Sequence, residues 1–215
     1  MPQSLKIDFV SDVSCPWCAI GLKSLETALE RASDVVQADL HFQPFELNPQ
    51  MSTEGQEIVE HLSAKYGISA EQVARNTEAI RQRGEAVGFT FGKGKRSRVY
   101  NTFDAHRLLH WAEGQGQQHA LKMALFKAYF TDGESPGAHD VLLRAVAHVG
   151  LDVEAARDVL TSDTFAAEVR ERERFYMDQG IHSVPAVIIN GKHLISGGQP
   201  PEVFEQALRQ IAAAA

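Results

Sequence analysis

Apolar and polar positions divide the chain into three stretches. Residues 6–10, Lys-Ile-Asp-Phe-Val, are rich in β-favouring side chains and read as a short strand. A loop over 11–14 follows. From Cys15 onward Ile20, Leu22, Leu25, Ala28 and Leu29 recur at helical spacing, and Pro16 suits a first helical position, where its missing N–H costs nothing. Residues 36–45 read as a second strand, with Ala38, Leu40 and Phe42 alternating against polar neighbours, until Pro44 and the segment 46–49 end it. From Glu54 to about Gln179 nearly everything has helical periodicity. Ser69 with Gln72 forms a capping box, Gly67, Gly150 and Gly180 mark stops, and Asn101 or Thr102 caps a helix through Phe103, Leu108, Leu109 and Trp111. Further helices are expected over 119–130, 139–149, 152–160 and 164–177. Strands return at 186–189 and 193–195 around an Asn190-Gly191 hairpin signal, and Pro200-Pro201 opens a last amphipathic helix.

The order is therefore β-α-β, a long helical stretch, then β-β-α. An α/β fold follows, with a mixed sheet: the interposed helix favours parallel pairing and the late hairpin an antiparallel pair. Residues 1–50 and 180–215 are expected to form one discontinuous domain, and 51–179 a helical insertion within it.

Composition narrows the function. The chain has 215 residues, 44% of them hydrophobic, enough for a core without staples. Its formal charge of −7 argues against nucleic acid and against an anionic membrane surface. No apolar run is long enough to span a bilayer, and residues 1–6 lack the pattern of a secretory signal, so the expected location is the cytoplasm.

Cys15 and Cys18 are the only cysteines, too few for a disulfide-stapled fold or a four-ligand zinc site, and the His106/His110 pair lacks the zincin glutamate; no metal is expected. A Cys-x-x-Cys at the first turn of a helix that follows a strand carries redox chemistry. The attacking species is a thiolate, and a helix N-terminus offers N–H groups and partial positive charge that favour it. Cys15 is then the exposed nucleophile and Cys18, one turn deeper, the buried resolving thiol. Pro16 and Trp17 shape the turn between them without adding charge. Far along the chain, Ser183-Val184-Pro185 precedes the third strand. A cis bond at Pro185 would turn the backbone groups of Val184 outward, free to pair with an extended peptide; a trans proline at a strand start is the plainer alternative.

Residues 9–18, 44–49, 101–108 and 183–201 together resemble the DsbA-like branch of the thioredoxin superfamily, and within it the FrnE-like proteins. The resemblance implies a thioredoxin fold with a helical insertion domain and a thiol–disulfide oxidoreductase that works through the Cys15–Cys18 pair without a further cofactor. It implies a cis Pro185 against that pair, Val184 hydrogen-bonded to substrate, and helices capping the site. Gly197, Phe45, Asn101 and His106 are candidate substrate contacts, although His106 and Asn101 are more readily surface or capping residues. Trp17 and Phe45 either frame the cysteines with apolar surface or belong to the core and rim.

Where thioredoxins and DsbA carry a buried acid six positions before the first cysteine, this chain has Phe9. The acceptor for the Cys18 proton is left to Asp8, Glu46 or water. The basic stretch from Lys93 to Arg98 reads as a solvated loop, with anion or glutathione contact as a lesser reading. Expected partners are protein or peptide thiols and disulfides, with glutathione as a possible co-substrate; a cytosolic setting favours reduction or isomerisation over net oxidation. Two rivals are a glutathione-dependent transferase or isomerase, like the kappa-class transferases and 2-hydroxychromene-2-carboxylate isomerases of the same branch, and a client-binding holdase whose cysteines only lock the fold.

Overall fold

The computed structural model describes residues 2–214; Met1 and Ala215, the outermost residues of the expected domain ranges, lie outside them. The chain runs through β1 (Gln3–Ser11), α1 (Pro16–Arg31) and β2 (Val36–Pro44). It continues with β3 (Gln56–Glu57), α2 (Ile58–Tyr66), α3 (Ala70–Ala86), β4 (Arg98–Val99), α4 (Phe103–Glu113) and α5 (Gln118–Phe126). A π-helical turn (Lys127–Asp132), α6 (His139–His148), α7 (Val153–Leu160) and α8 (Ala166–Asp178) lead to β5 (Ala186–Ile189), β6 (His193–Ser196) and α9 (Pro201–Ala213).

The main sheet has the order β2-β1-β5-β6. β2 runs parallel to β1, the pairing that a helical crossover permits, whereas β5 and β6 are antiparallel neighbours. Asn190 and Gly191 both have positive φ, 52° and 66°, as a type I′ turn requires. From Ile7 to Ser11 every residue of β1 is buried. Leu5, Ile7 and Phe9 pack with Leu22 and Leu25 of α1 and with Phe204 and Leu208 of α9. Val10 joins a separate cluster with Tyr176, Ile181 and Ala186. The mixed sheet flanked by helices is the thioredoxin-like arrangement, with α2 to α8 between β2 and β5 in sequence.

Three local expectations need correction. The middle stretch is not wholly helical, because β3 and β4 form a two-residue antiparallel ladder, too short to leave a periodic signal. The helix expected over 119–130 widens into a π turn after Phe126, yet Ala128, Tyr129 and Phe130 stay buried, so the change of pitch is invisible in the apolar pattern. Ala38 is exposed: β2 is an edge strand, buried only at Val36 and over its last three residues.

The start of α1 sits directly on the loop before β5 and the turn after β6. A Cβ on Gly21 would lie 3.1 Å from Cγ of Pro185 and 3.3 Å from Cα of Gly198; one on Gly198 would lie 2.9 Å from the carbonyl oxygen of Trp17. Gly198→Ala must therefore displace the first turn of α1. We expect it to destabilise the fold by about 1–2 kcal/mol, overpacking offset in part by a less flexible unfolded chain. Urea unfolding checks this as a lower midpoint at unchanged slope.

Candidate active site

The loop between β1 and α1 is held by two side chains, Asp12 from within and Arg96 from outside. Asp12 is fully buried; its Oδ1 accepts from the Ser14 amide at 3.1 Å and its Oδ2 from the Leu47 amide at 2.7 Å, while its carbonyl accepts from the Cys15 amide at 3.2 Å. Cys15 thereby becomes the N-cap residue, with extended φ and ψ of −90° and 113° and Pro16 at the first helical position. Its carbonyl accepts the Cys18 amide at 3.1 Å, which starts the helix. From the other side Arg96 donates from Nη2 to the Ser14 carbonyl at 3.3 Å and from Nε to the Tyr129 hydroxyl at 3.1 Å, with its guanidinium over the Tyr129 and Phe130 rings. The basic stretch is thus not merely a solvated loop; one of its residues is built into the site.

Both cysteines are free thiols. Cys18 has no exposed surface, and Cys15, expected to be exposed, is only 4% exposed. The Val184–Pro185 bond is cis, and the Cys15 thiol donates to the Val184 carbonyl at 3.7 Å. That carbonyl, expected to be free for a client, is thus engaged by Cys15 in the dithiol state, and its loop lies over the sulfur. Gly197, in the left-handed region at φ 82°, donates its N–H to the Pro185 carbonyl at 2.8 Å and so braces this loop.

The two thiols differ in acidity. The Cys15 thiol is lowered from its ordinary value, chiefly because the Cys18 thiol donates a hydrogen bond to its sulfur; burial and the Asp12 charge oppose this, and the amides of Cys18 and Trp17 assist. Cys18 is raised well above the ordinary value by burial and by the demand of Cys15 on its proton, while Lys122 pulls it down.

The candidate residues separate on inspection. Trp17 is 38% exposed, with the Arg83 guanidinium 5.9 Å from its ring centroid. Phe45 is partly buried and packs on the cluster that holds Val10 and Tyr176, as a rim residue. Oδ1 of Asn101 accepts from the Phe103 amide at 2.9 Å, a cap for α4, whereas Thr102 makes no side-chain cap bond. His106 is neither a surface nor a capping residue: it is 2% exposed, with Nε2 3.5 Å from Oδ1 of Asp12. Asp8 accepts from Gln43 at 2.7 Å and pairs with Lys6, so it is committed elsewhere; Glu46 pairs with Arg170 through Oε2, while its Oε1 is buried without a hydrogen-bond partner and burial raises its carboxyl above the ordinary value.

Sequence reading missed Asp12, Arg96 and Lys122. Lys122 has no exposed surface, and burial pushes its ammonium down to about 8 against the upward pull of Cys18, Asp12 and Cys15. Its signal was present: it falls four residues before Phe126 on the buried face of α5, where a lysine is out of place.

The sequence matches the DSBA-like thioredoxin domain over residues 6–209. It is similar to a probable DsbA oxidoreductase from Streptomyces coelicolor, with a TM-score of 0.91 and 33% identity over 98% of this chain and 90% of that one. It is 27% identical to the uncharacterized protein YwbO of Bacillus subtilis, covering 96% of each. The cytosolic disulfide reductase DsbM from Pseudomonas aeruginosa, solved with GSH, shares the fold at a TM-score of 0.69 and 19% identity, over 97% of this chain and 99% of that one. With the matched region running from β1 into α9, this chain belongs to the DsbA-like thioredoxin domain family.

Proposed function

We propose that this chain is a cytoplasmic thiol–disulfide oxidoreductase acting on protein or peptide disulfides through its Cys-Pro-Trp-Cys pair. One observation carries the reading: the sulfur of Cys15 is held at the N-terminus of α1 against the carbonyl that precedes cis Pro185, with Cys18 buried one helical turn on and its amide bonded to the Cys15 carbonyl. The Cys15 thiolate attacks one client sulfur, the client S–S bond breaks, and the other client sulfur leaves as a thiolate. Cys18 then loses its proton and attacks Cys15. The Cys15–Cys18 bond forms as the mixed disulfide breaks and the second client thiol is released. The client is reduced by two electrons and the pair oxidised by two; a thiol such as glutathione restores the dithiol.

Once Cys15 is joined to a client its thiol no longer donates to Val184. That carbonyl is then available to a client N–H, which couples backbone capture to the covalent step. Trp17 supplies apolar surface beside the cysteines. In a reducing compartment the pair works as a reductase or isomerase, and the cytosolic relative solved with GSH supports that direction. A second reading, in which glutathione binds specifically, rests on a cavity of about 100 Å³ lined by Pro16, Phe91, Lys93 and Arg96, whose cations suit its carboxylates. Calorimetry decides it: heat of binding to the Cys15→Ser protein is expected, and none would end the idea.

Cys15→Ser is expected to bring insulin reduction to background, and Cys18→Ser to accumulate a mixed disulfide visible by mass spectrometry. A Cys15→Ser protein with full activity would refute the assignment. Alkylation of Cys15 should rise with pH as thiolate forms, and be half-maximal below the free-cysteine value of about 8.5. Cys18 in the Cys15→Ser protein should stay unreactive at that pH.

A further inference from the structure

Lys122 is placed where a lysine is costly. It has no exposed surface, and among the described residues no carboxylate comes within ion-pair distance of its ammonium, which lies 5.1 Å from the Phe126 ring centroid. An unpaired buried ammonium carries a desolvation penalty of several kcal/mol. Phe126 belongs to the same packed cluster as Cys15 and Cys18, and the buried Lys122 charge over its ring acts on both thiols. Phe9 stands six positions before Cys15, Asp8 has its own partners, and Glu46 is paired with Arg170 through Oε2.

We propose that Lys122 is a positioning residue for the resolving step, its ammonium serving as counter-charge to the Cys18 thiolate in place of a buried acid. This rests on the exchange reading above. With a client sulfur on Cys15, the Cys18 proton passes to solvent and the thiolate forms opposite the ammonium. The thiolate bonds to the sulfur of Cys15 while the Cys15–client bond breaks; the client sulfur leaves with the electron pair and takes a proton from solvent. Lys122 keeps its own proton throughout.

The surroundings make a counter-charge necessary. Asp12, a buried carboxylate, is held below the ordinary carboxylate range: burial opposes this, but His106 and the amides of Leu47 and Ser14 outweigh it. Its negative charge opposes a thiolate at the dithiol. Of the other titratable groups around Lys122, Cys15 and Cys18 on α1 act on its charge, and His106, His110 and Glu113 on α4 line a small cavity with it. That cavity has room for about one water beside the ammonium.

The test separates the two chemical steps. Dithiobis(nitrobenzoate) reacts first with Cys15 and releases one coloured thiolate; Cys18 then resolves the mixed disulfide and releases a second. In Lys122→Met, with a wild-type circular dichroism spectrum, the second phase should fall about tenfold at pH 7. Its half-maximal pH should rise by about one unit, and the first phase should slow far less. Lys122→Arg, which retains the charge, should restore most of the second-phase rate. Lys122→Gln should behave like Lys122→Met and serves if the latter does not fold. Superimposable second-phase pH profiles, or both phases slowed equally, would overturn the assignment. A wild-type protein that releases only one equivalent would instead bring down the exchange reading itself.

Discussion

The Asp12 carboxylate closes the turn between β1 and α1 by accepting from the amides of Ser14 and Leu47, and in doing so it fixes the residue at which the helix begins. A shift of one residue would rotate the cysteines by about 100° around the helix axis. Cys15 would then leave the free N–H groups, and Cys18 would leave its contact. The turn is clamped from a second side, since Arg96 holds the Ser14 carbonyl. Asp12 and Arg96 therefore hold the same turn from two sides, and the sulfur of Cys15 that it carries meets the Val184 carbonyl. Glycines at 21 and 198 allow that approach.

The same carboxylate creates a difficulty. A negative charge buried behind a thiol raises the cost of a thiolate there, and Asp12 acts on Cys15 in that sense. The structure answers with donors and cations. His106 stands 3.5 Å from Asp12, the helix amides face Cys15, and Lys122 acts on Cys18. Two of the buried polar groups without partners belong to this region: Nε2 of His106 and Oγ of Ser14 make no hydrogen bond. Groups of this kind cost stability wherever they occur. At His106 and Ser14 the fold gives up stability beside the turn that carries the dithiol.

Much of this was legible in the sequence, for physical reasons. A strand ending at a Cys-x-x-Cys, a proline at the first helical position and an Asn-Gly pair between short strands are local signals, and each is read from neighbours in the chain. The cis bond at Pro185 was open on residues alone and implied by family resemblance. What stayed hidden is non-local. Asp12 looks like an ordinary loop acid until Leu47 is brought to it, and Lys122 looks like a surface lysine until α5 is turned inward. The burial of Cys15 is likewise a tertiary fact, produced by a loop 169 residues away. His106 was read as a surface or capping residue because a histidine in an amphipathic helix carries no mark of which face it occupies.

The helical stretch is more than a lid. Arg96 comes from the segment between α3 and β4, His106 from α4 and Lys122 from α5, and each reaches the dithiol or the turn that carries it. The sheet and α1 supply the two sulfurs and the cis proline, but by themselves they would leave Asp12 facing the thiols without a cation. Charge balance at the dithiol is therefore a joint property of both parts of the chain. The helices can then tune the acidity of Cys18 through Lys122 without altering the Cys-Pro-Trp-Cys turn, because a charge acts through the low-dielectric interior over distances that packing contacts do not reach.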